Sequence, residues 1–294
     1  MHGKKPKILI THSGGSGDIL MATPIVRKIF QDRCGYCEIF VHTSYNDVFK
    51  NSPYVSGSYI PGEAINLSDF DLIVRLDRSL HPDNSRYIGD AFSFFAFGDT
   101  NIDCSIDLFS LPSDKYTAEN LEKKFQDGYV VLHMKGGFPR SKVIHNEFWD
   151  ELVNGVLSNT SLGVVQIGTE TDLAFNGSDR LVDIRQATTF QQAKEVIARA
   201  RCFIGVDSGP FHIARSTSTN IIGLFTLMRA EYVYRRHHSN GLIKAFAAPI
   251  DCYGCLELSG DYNHCYREEP ECVKLFNAAE VLSTLKKLSI KPGY

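Results

Sequence analysis

Three glycine-containing turns and one cluster of thiols hold the residues that could do chemistry in this 294-residue chain. The first turn, Gly14-Gly15-Ser16-Gly17-Asp18, follows the apolar run Ile8-Leu9-Ile10-Thr11. Glycines let the backbone approach a substrate closely and turn its N–H groups outward, and the start of a following helix attracts anions. Asp18 has two readings: an N-cap of that helix, or a general base facing a cleft between two halves of the chain. A helix N-terminus stabilises a carboxylate and weakens it as a base, so the second reading needs good placement and late proton transfer. The second turn, Lys135-Gly136-Gly137-Phe138-Pro139-Arg140-Ser141-Lys142, sets three cations and two glycines between a strand end and a helix. That pattern suits the charge building on a diphosphate leaving group, with solvated surface basics as the alternative. The third, Asp207-Ser208-Gly209-Pro210-Phe211-His212, offers Pro210 to a first helical turn and the Ser208 hydroxyl to a second anion contact. His212 is either part of that contact or a satisfied core histidine.

Four of the eight cysteines fall in the pattern Cys252-x2-Cys255-x9-Cys265-x6-Cys272. Four thiolates at about 2.3 Å from zinc close a tetrahedral structural site, and a tetrathiolate iron site has similar geometry. Spacing does not choose between the metals, and free thiols or disulfides are the alternatives. Glu257, Asp261, Glu268, Glu269 and Glu271 make the segment acidic, which argues against a nucleic-acid-binding zinc ribbon. Cys34-Gly35-Tyr36-Cys37 precedes a strand, whereas a redox pair of the thioredoxin type opens a helix. Cys104 and Cys202 read as buried apolar residues.

These residues need a scaffold, and the apolar pattern supplies one. Strands are predicted at 8–11, 38–42, 71–76, 129–133, 162–167, 202–206 and 220–225, and helices at 19–30, 91–97, 146–157, 189–200 and 277–288. The alternation implies mostly parallel sheets with crossover helices, and ligands of such sheets sit at the carboxyl ends of the strands. The strand-then-glycine units beginning at Ile8 and Tyr129 superpose on their Gly-Gly pairs, a repeat that suggests two similar α/β halves. The polar stretch 111–128 is the expected boundary.

The net charge of −3 predicts neither a nucleic-acid binder nor a polybasic membrane anchor. The N-terminus lacks the 7–15 apolar residues, or about that many, of a secretory segment, and no run of about 18 apolar residues occurs. A cytoplasmic protein with reduced thiols is expected. The first turn is not a dinucleotide fingerprint: Leu20 stands where the third glycine belongs, and His42-Thr43-Ser44, not an acid, closes the second strand. That disfavours a nucleotide-dependent oxidoreductase.

In this order and spacing the segments resemble the heptosyltransferases, glycosyltransferase family 9. The resemblance rests on S-G-G-S-G-D-I-L-M-A-T-P within 7–30, R-S-K-V-I-H-N-E-F-W-D-E-L around Lys142 and Trp149, and I-G-T-E ending at Glu170. It rests most on A-R-A-R-C-F-I-G-V-D-S-G-P-F-H-I-A from Ala198 to Ala214, with N-S-P-Y-V at 51–55 a lesser block. It implies an α/β GT-B fold, two Rossmann-like domains facing across a cleft, with 1–125 on the acceptor side and 126–294 binding a nucleotide-sugar and carrying the cysteine knuckle at 252–272. It further implies an inverting transfer of a heptose-type sugar, with ADP the favoured nucleotide and a bacterial saccharide or protein hydroxyl as acceptor, as in lipopolysaccharide biosynthesis. No catalytic metal is expected, and transient contact with the inner membrane surface fits such an acceptor.

On that reading Asp18 removes the acceptor proton and Lys142, with Arg140, steadies the departing diphosphate. Gly17, Gly137, Ser208 and Gly209 line the donor phosphates, Glu170 binds the nucleoside, and Asp207 and His212 shape the sugar site. Many members resemble this chain in carrying C-x-x-C with two later cysteines, and a branch that glycosylates autotransporter proteins holds iron there, so a structural zinc or iron at Cys252, Cys255, Cys265 and Cys272 is implied. Two departures stand out: 62–111 is short for an acceptor portion and matches no motif, and Gly136-Gly137 replaces a threonine pair. The competing reading is a non-catalytic GT-B-like scaffold that binds a nucleotide.

Overall fold

The computed structural model describes residues 4–79, 87–136, 142–169, 177–235, 241–260 and 265–289. Among these, the first sheet is built from β1 (Lys7–Thr11), β2 (Glu38–His42), β3 (Gly57–Tyr59) and β4 (Leu72–Arg75), with α1 (Ser16–Asp32) between β1 and β2. Its order is β3-β2-β1-β4, all parallel. Two helices follow, α2 (Ile88–Phe97) and α3 (Tyr116–Lys124). Next come β5 (Tyr129–His133), α4 (Asn146–Asn159), β6 (Gly163–Gln166), β7 (Leu181–Asp183), α5 (Phe190–Ala198) and β8 (Cys202–Val206). The chain continues through α6 (Gly209–Arg215), β9 (Ile221–Phe225), α7 (Ala230–Val233), β10 (Ile243–Ala247), α8 (Cys255–Ser259) and α9 (Ala278–Ser289). The second sheet has the order β10-β9-β8-β5-β6-β7, again all parallel.

Parallel sheets are covered on both faces, so their inner strands must be apolar on both. β5, β8 and β9 are buried along their whole length. Alternate residues serve different cores. Val131 and Phe203 face one that continues through Phe211 to Ile8 and Ile10 of the first sheet. Val130, Leu132 and Ile204 face another built with Trp149 and Leu152 of α4 and Val281 and Leu285 of α9. Arg27 of α1 reaches across to the segment after α2, bonding the Asp107 carboxylate at 2.7 and 2.8 Å and the Ser105 carbonyl at 3.2 Å.

The structure differs from the sequence expectation in four places. α1 begins at Ser16, not near Ile19, with Gly15 at the N-cap position. Asp18 is therefore not the N-cap; its carboxylate reaches back one turn and accepts the Gly15 N–H at 3.0 Å. The polar stretch 111–128, where no element was expected, contains α3, which packs on α5 and buries Ala118 and Leu121. Finally, β3, β7 and β10 add edge strands.

Candidate functional site

The carboxyl ends of β1 and β8 bring the first and third glycine turns into contact. The start of α1 abuts the start of α6, and the two glycines make this possible. A methyl group on Gly17 would stand 2.9 Å from Cδ2 of His212 and 3.7 Å from the Gly209 nitrogen. One on Gly209 would collide with the Ser16 hydroxyl. Asp18, one residue beyond Gly17, thus lies on the same helix start that covers His212, close enough for its charge to act on the imidazole.

The second turn joins them through an ion pair. The Lys142 ammonium sits 2.6 Å from Oδ2 of Asp207, with the two side chains 15% and 12% exposed. Burial works against a charged Asp207, but Lys142 and His212 outweigh it and hold the carboxyl well below the usual range. The base of this turn is closed by a bridge between Lys135 and Val143 and by the Gly136 N–H donating to the Lys142 carbonyl at 3.3 Å. Gly136 has no room for a side chain, since Cβ of Lys142 would lie 2.7 Å from its own.

His212 is buried, and its Nε2 lies 3.8 Å from Oδ1 of Asp207. Its Nδ1 is 2.9 Å from Nη1 of Arg215, itself only 2% exposed. Burial pushes the imidazole towards its neutral form; Asp207 pulls the other way, and Arg215 reinforces the burial. The Arg215 Nη1 also donates to the Val233 carbonyl at 3.2 Å, and Nη2 to the Tyr87 hydroxyl at 2.8 Å. Tyr87 lies between two guanidinium groups, Arg215 at 5.6 Å and Arg235 at 5.9 Å from the ring centre, and Arg235 pairs with Asp90 of α2.

Ser208 turns its hydroxyl inward, 3.0 Å from Nδ1 of His133 and 3.0 Å from the Val206 carbonyl. His133 at the end of β5 is driven down to about 4 by burial, so it is neutral near pH 7. On the first-sheet side, Asp77 after β4 accepts from the Ser13 N–H at 2.5 Å and the Ser13 hydroxyl at 2.6 Å, and lies 3.0 Å from Nδ1 of His12. Burial would raise the Asp77 carboxyl, but these bonds prevail and lower it.

Asp18, Lys142, Asp207, His212, Gly17 and Gly209 are thus brought together, with Ser208 alongside. Gly137, Arg140 and Glu170 lie outside the described residues. Arg215, Tyr87, Arg235, Asp90, His12 and Asp77 were not singled out from sequence. Arg215 left one signal, a charge three residues after His212 on the same helix face, where side chains meet. Tyr87 and Asp77 left none, because only the fold places the end of β4 beside β1 and α2 beside α6.

The four knuckle cysteines are gathered: burial and the proximity of Cys255, Cys252 and Cys265 push the Cys272 thiol up to about 12. Arg267 clasps the knuckle by pairing with Asp251 at 3.0 Å and Glu271 at 2.6 Å. Yet among the described residues no three His, Cys, Asp or Glu side chains are placed to hold a metal ion. The four thiols match a metal site in donor type and number.

The model of glycosyltransferase family 9 (heptosyltransferase) matches residues 95–244, which include Lys142, Asp207, His212 and Arg215. The chain belongs to glycosyltransferase family 9. Family 9 members are also its structural relatives. The family 9 glycosyl transferase from Veillonella parvula DSM 2008 superposes with a TM-score of 0.71 at 12% identity, over 98% of each chain. The dodecameric iron-containing heptosyltransferase TibC, in complex with ADP-D-beta-D-heptose, gives 0.73 at 16% identity, over 97% of this chain and 76% of that one. The E. coli ADP-heptose lps heptosyltransferase II gives 0.70 at 14% identity, over 96% and 98%. No curated protein matches the chain in sequence. At these identities the likeness shows the fold, and it is the GT-B fold of family 9. As a member of family 9 the chain is a glycosyltransferase. Among the described residues no helix is long and apolar enough to cross a membrane.

Proposed function

We propose that this family 9 enzyme transfers a heptose-type sugar, with inversion, from a nucleotide-diphosphate donor of the ADP-heptose kind to a saccharide or protein hydroxyl. The observation that carries the reading is the meeting of Asp18, at the start of α1, with the Lys142–Asp207 pair across His212. A base from the first sheet and a cation from the second then flank one place where an anomeric carbon can sit. The acceptor oxygen attacks that carbon and gives its proton to Asp18. The bond from carbon to the diphosphate oxygen breaks, and the nucleoside diphosphate leaves with the electron pair.

The Asp18 carboxylate is oriented by the Gly15 N–H, which donates to it at 3.0 Å. It suits a late proton transfer, when the attacking oxygen has become acidic. Lys142 meets the charge on the leaving diphosphate with its ammonium already oriented by Asp207, aided by Arg140. Gly17, Gly137, Ser208 and Gly209 line the phosphates and Glu170 holds the nucleoside. On this reading 1–125 is the acceptor side and 126–294 the donor side. The donor is a charged nucleotide-sugar that does not cross a bilayer unaided, which supports a cytoplasmic site of action, with the acceptor met at the inner membrane surface if it is lipid-linked. The knuckle of Cys252, Cys255, Cys265 and Cys272 takes up one structural zinc or iron by drawing its thiols together, and takes no part in the reaction.

The test is a panel of nucleotide-sugars read by mass spectrometry for hydrolysis and transfer, with Asp18→Ala beside the unaltered enzyme. ADP-heptose is expected to be consumed, and Asp18→Ala to lose at least a hundredfold in turnover while still binding donor. Full turnover by Asp18→Ala removes the base assignment; consumption of another donor class alone removes the heptose.

A further inference from the structure

A chain of polar side chains runs from Tyr87, at the N-cap of α2 in the first half, to the Lys142–Asp207 pair of the second: Tyr87, Arg215, His212, Asp207, Lys142. We propose that Arg215 is a positioning residue that fixes His212 as the neutral ring with its proton on Nε2, so that His212 presents an N–H to Asp207 and competes with Lys142 for nothing. The inference deepens the donor-site reading above and rests on it for its functional part.

A guanidinium only donates, so Nη1 at 2.9 Å from Nδ1 makes a hydrogen bond only if Nδ1 carries no proton. The single proton of the neutral ring is then on Nε2, which faces Oδ1 of Asp207 at 3.8 Å. A doubly protonated ring would set two N–H groups against each other inside a site where both residues are 2% exposed. Arg215 cannot turn away easily, because the Val233 carbonyl and the Tyr87 hydroxyl hold its other bonds and the Tyr87 ring lies beneath it.

The charged groups facing His212 are Asp207 from its own turn, Asp18 from α1 and Arg215 from α6. The two carboxylates favour an imidazolium, which would draw Asp207 away from Lys142 and disorder the cation that meets the leaving group. Arg215 and burial oppose that outcome. Nothing in the expected transfer chemistry requires this arginine, and it enters through its hold on the imidazole.

The experiment is 15N NMR of the full chain labelled at histidine, with His212→Gln to assign the resonances, together with pH profiles of turnover. In the unaltered protein Nδ1 should resonate as an unprotonated nitrogen and Nε2 as an N–H, with no titration between pH 5 and 8. A protonated Nδ1 overturns the proposal without any variant. In Arg215→Met, His212 should gain a proton as the pH falls through that range, and turnover should acquire an acid limb absent from the unaltered enzyme. Its kcat should drop roughly tenfold, with the donor KM moved less. Arg215→Lys should restore part of both. A ring spectrum and pH profile unchanged in Arg215→Met overturn the proposal. Should that variant fail to fold, Tyr87→Phe frees Nη2 alone and should lower kcat severalfold; no change would count against the inference. Should no nucleotide-sugar be turned over, the donor reading fails, and the spectra still decide the tautomer.

Discussion

Lys142→Met isolates the ion pair at the centre of the site, because methionine keeps much of the apolar stem and removes the charge. Asp207 would then remain folded in, 12% exposed, without the ammonium now 2.6 Å away. Removing one partner of a buried pair costs roughly 3–5 kcal/mol, and the slight access of water to both groups places this case near the lower end, about 3 kcal/mol at pH 7. For a chain of this size that is a fall in Tm of about 5–10 °C. The pH dependence has a definite sign. In the unaltered protein the Asp207 carboxyl is held below its usual value, so its contribution is full above about pH 4 and is lost as the pH falls further. In the variant burial dominates and the carboxyl rises above its unfolded value, so the folded state takes up a proton and the deficit shrinks as the pH falls from 7 to 5. Adding Asp207→Asn removes the orphaned charge and should recover most of the loss. Thermal melts at pH 5, 6, 7 and 8 on the single and double variants measure all three effects. A deficit under about 1 kcal/mol at pH 7, or one equal at every pH, would refute the reasoning, as would a double variant no more stable than the single.

Gly17→Ala places a methyl 2.9 Å from a ring that Arg215 prevents from moving. Alanine gains about 1 kcal/mol over glycine in an open helix, but the overlap should reverse the sign to a net loss of about 1–2 kcal/mol. Urea titration reads that loss, and a gain in stability would show that the two helix starts are not packed as described. The knuckle predicts one zinc or iron per chain by elemental analysis of protein purified without chelator, and a substoichiometric value in Cys252→Ser. A metal-free protein that melts at the same temperature with and without added zinc removes the structural metal.

The inner strands were legible because burial on both faces leaves them few polar positions: β8 and β9 read as unbroken apolar runs, and β5 is apolar up to His133. α5 announced itself by its capping residues, Thr189 accepting from the Gln192 N–H at 3.2 Å and Gln192 returning the bond at 2.9 Å. The edge strands β3 and β7 have three residues each, and β10, though five residues long, is only partly buried, so their periodicity is weak. α3 has a polar surface and buries only Ala118 and Leu121, which in sequence is hard to tell from a linker. The glycine turns marked the carboxyl ends of β1 and β8, but not why Gly17 and Gly209 must be glycine; that follows from two helix starts in contact. Tyr87 and Arg215 are 128 positions apart, and His12 and Asp77 65, so only the fold pairs them.

If the proposed donor binds here, the electrostatics of the site constrain how its diphosphate is held. Asp18 accepts the Gly15 N–H and Asp207 pairs with Lys142, so one cation stands against two carboxylates. A diphosphate brings further negative charge beside both. Lys142 can face it only while staying on Asp207, which makes the ammonium a shared group and leaves its positive charge largely spent. The net attraction must then come from the α1 start and from the other cations of the 135–142 turn, Lys135 and Arg140 by sequence. On the proposed reading the labour divides: those groups set donor affinity, while Lys142, held in place through Asp207 and His212, acts as charge develops on the leaving oxygen. A group already neutralised in the ground state and unloaded in the transition state contributes to turnover more than to binding.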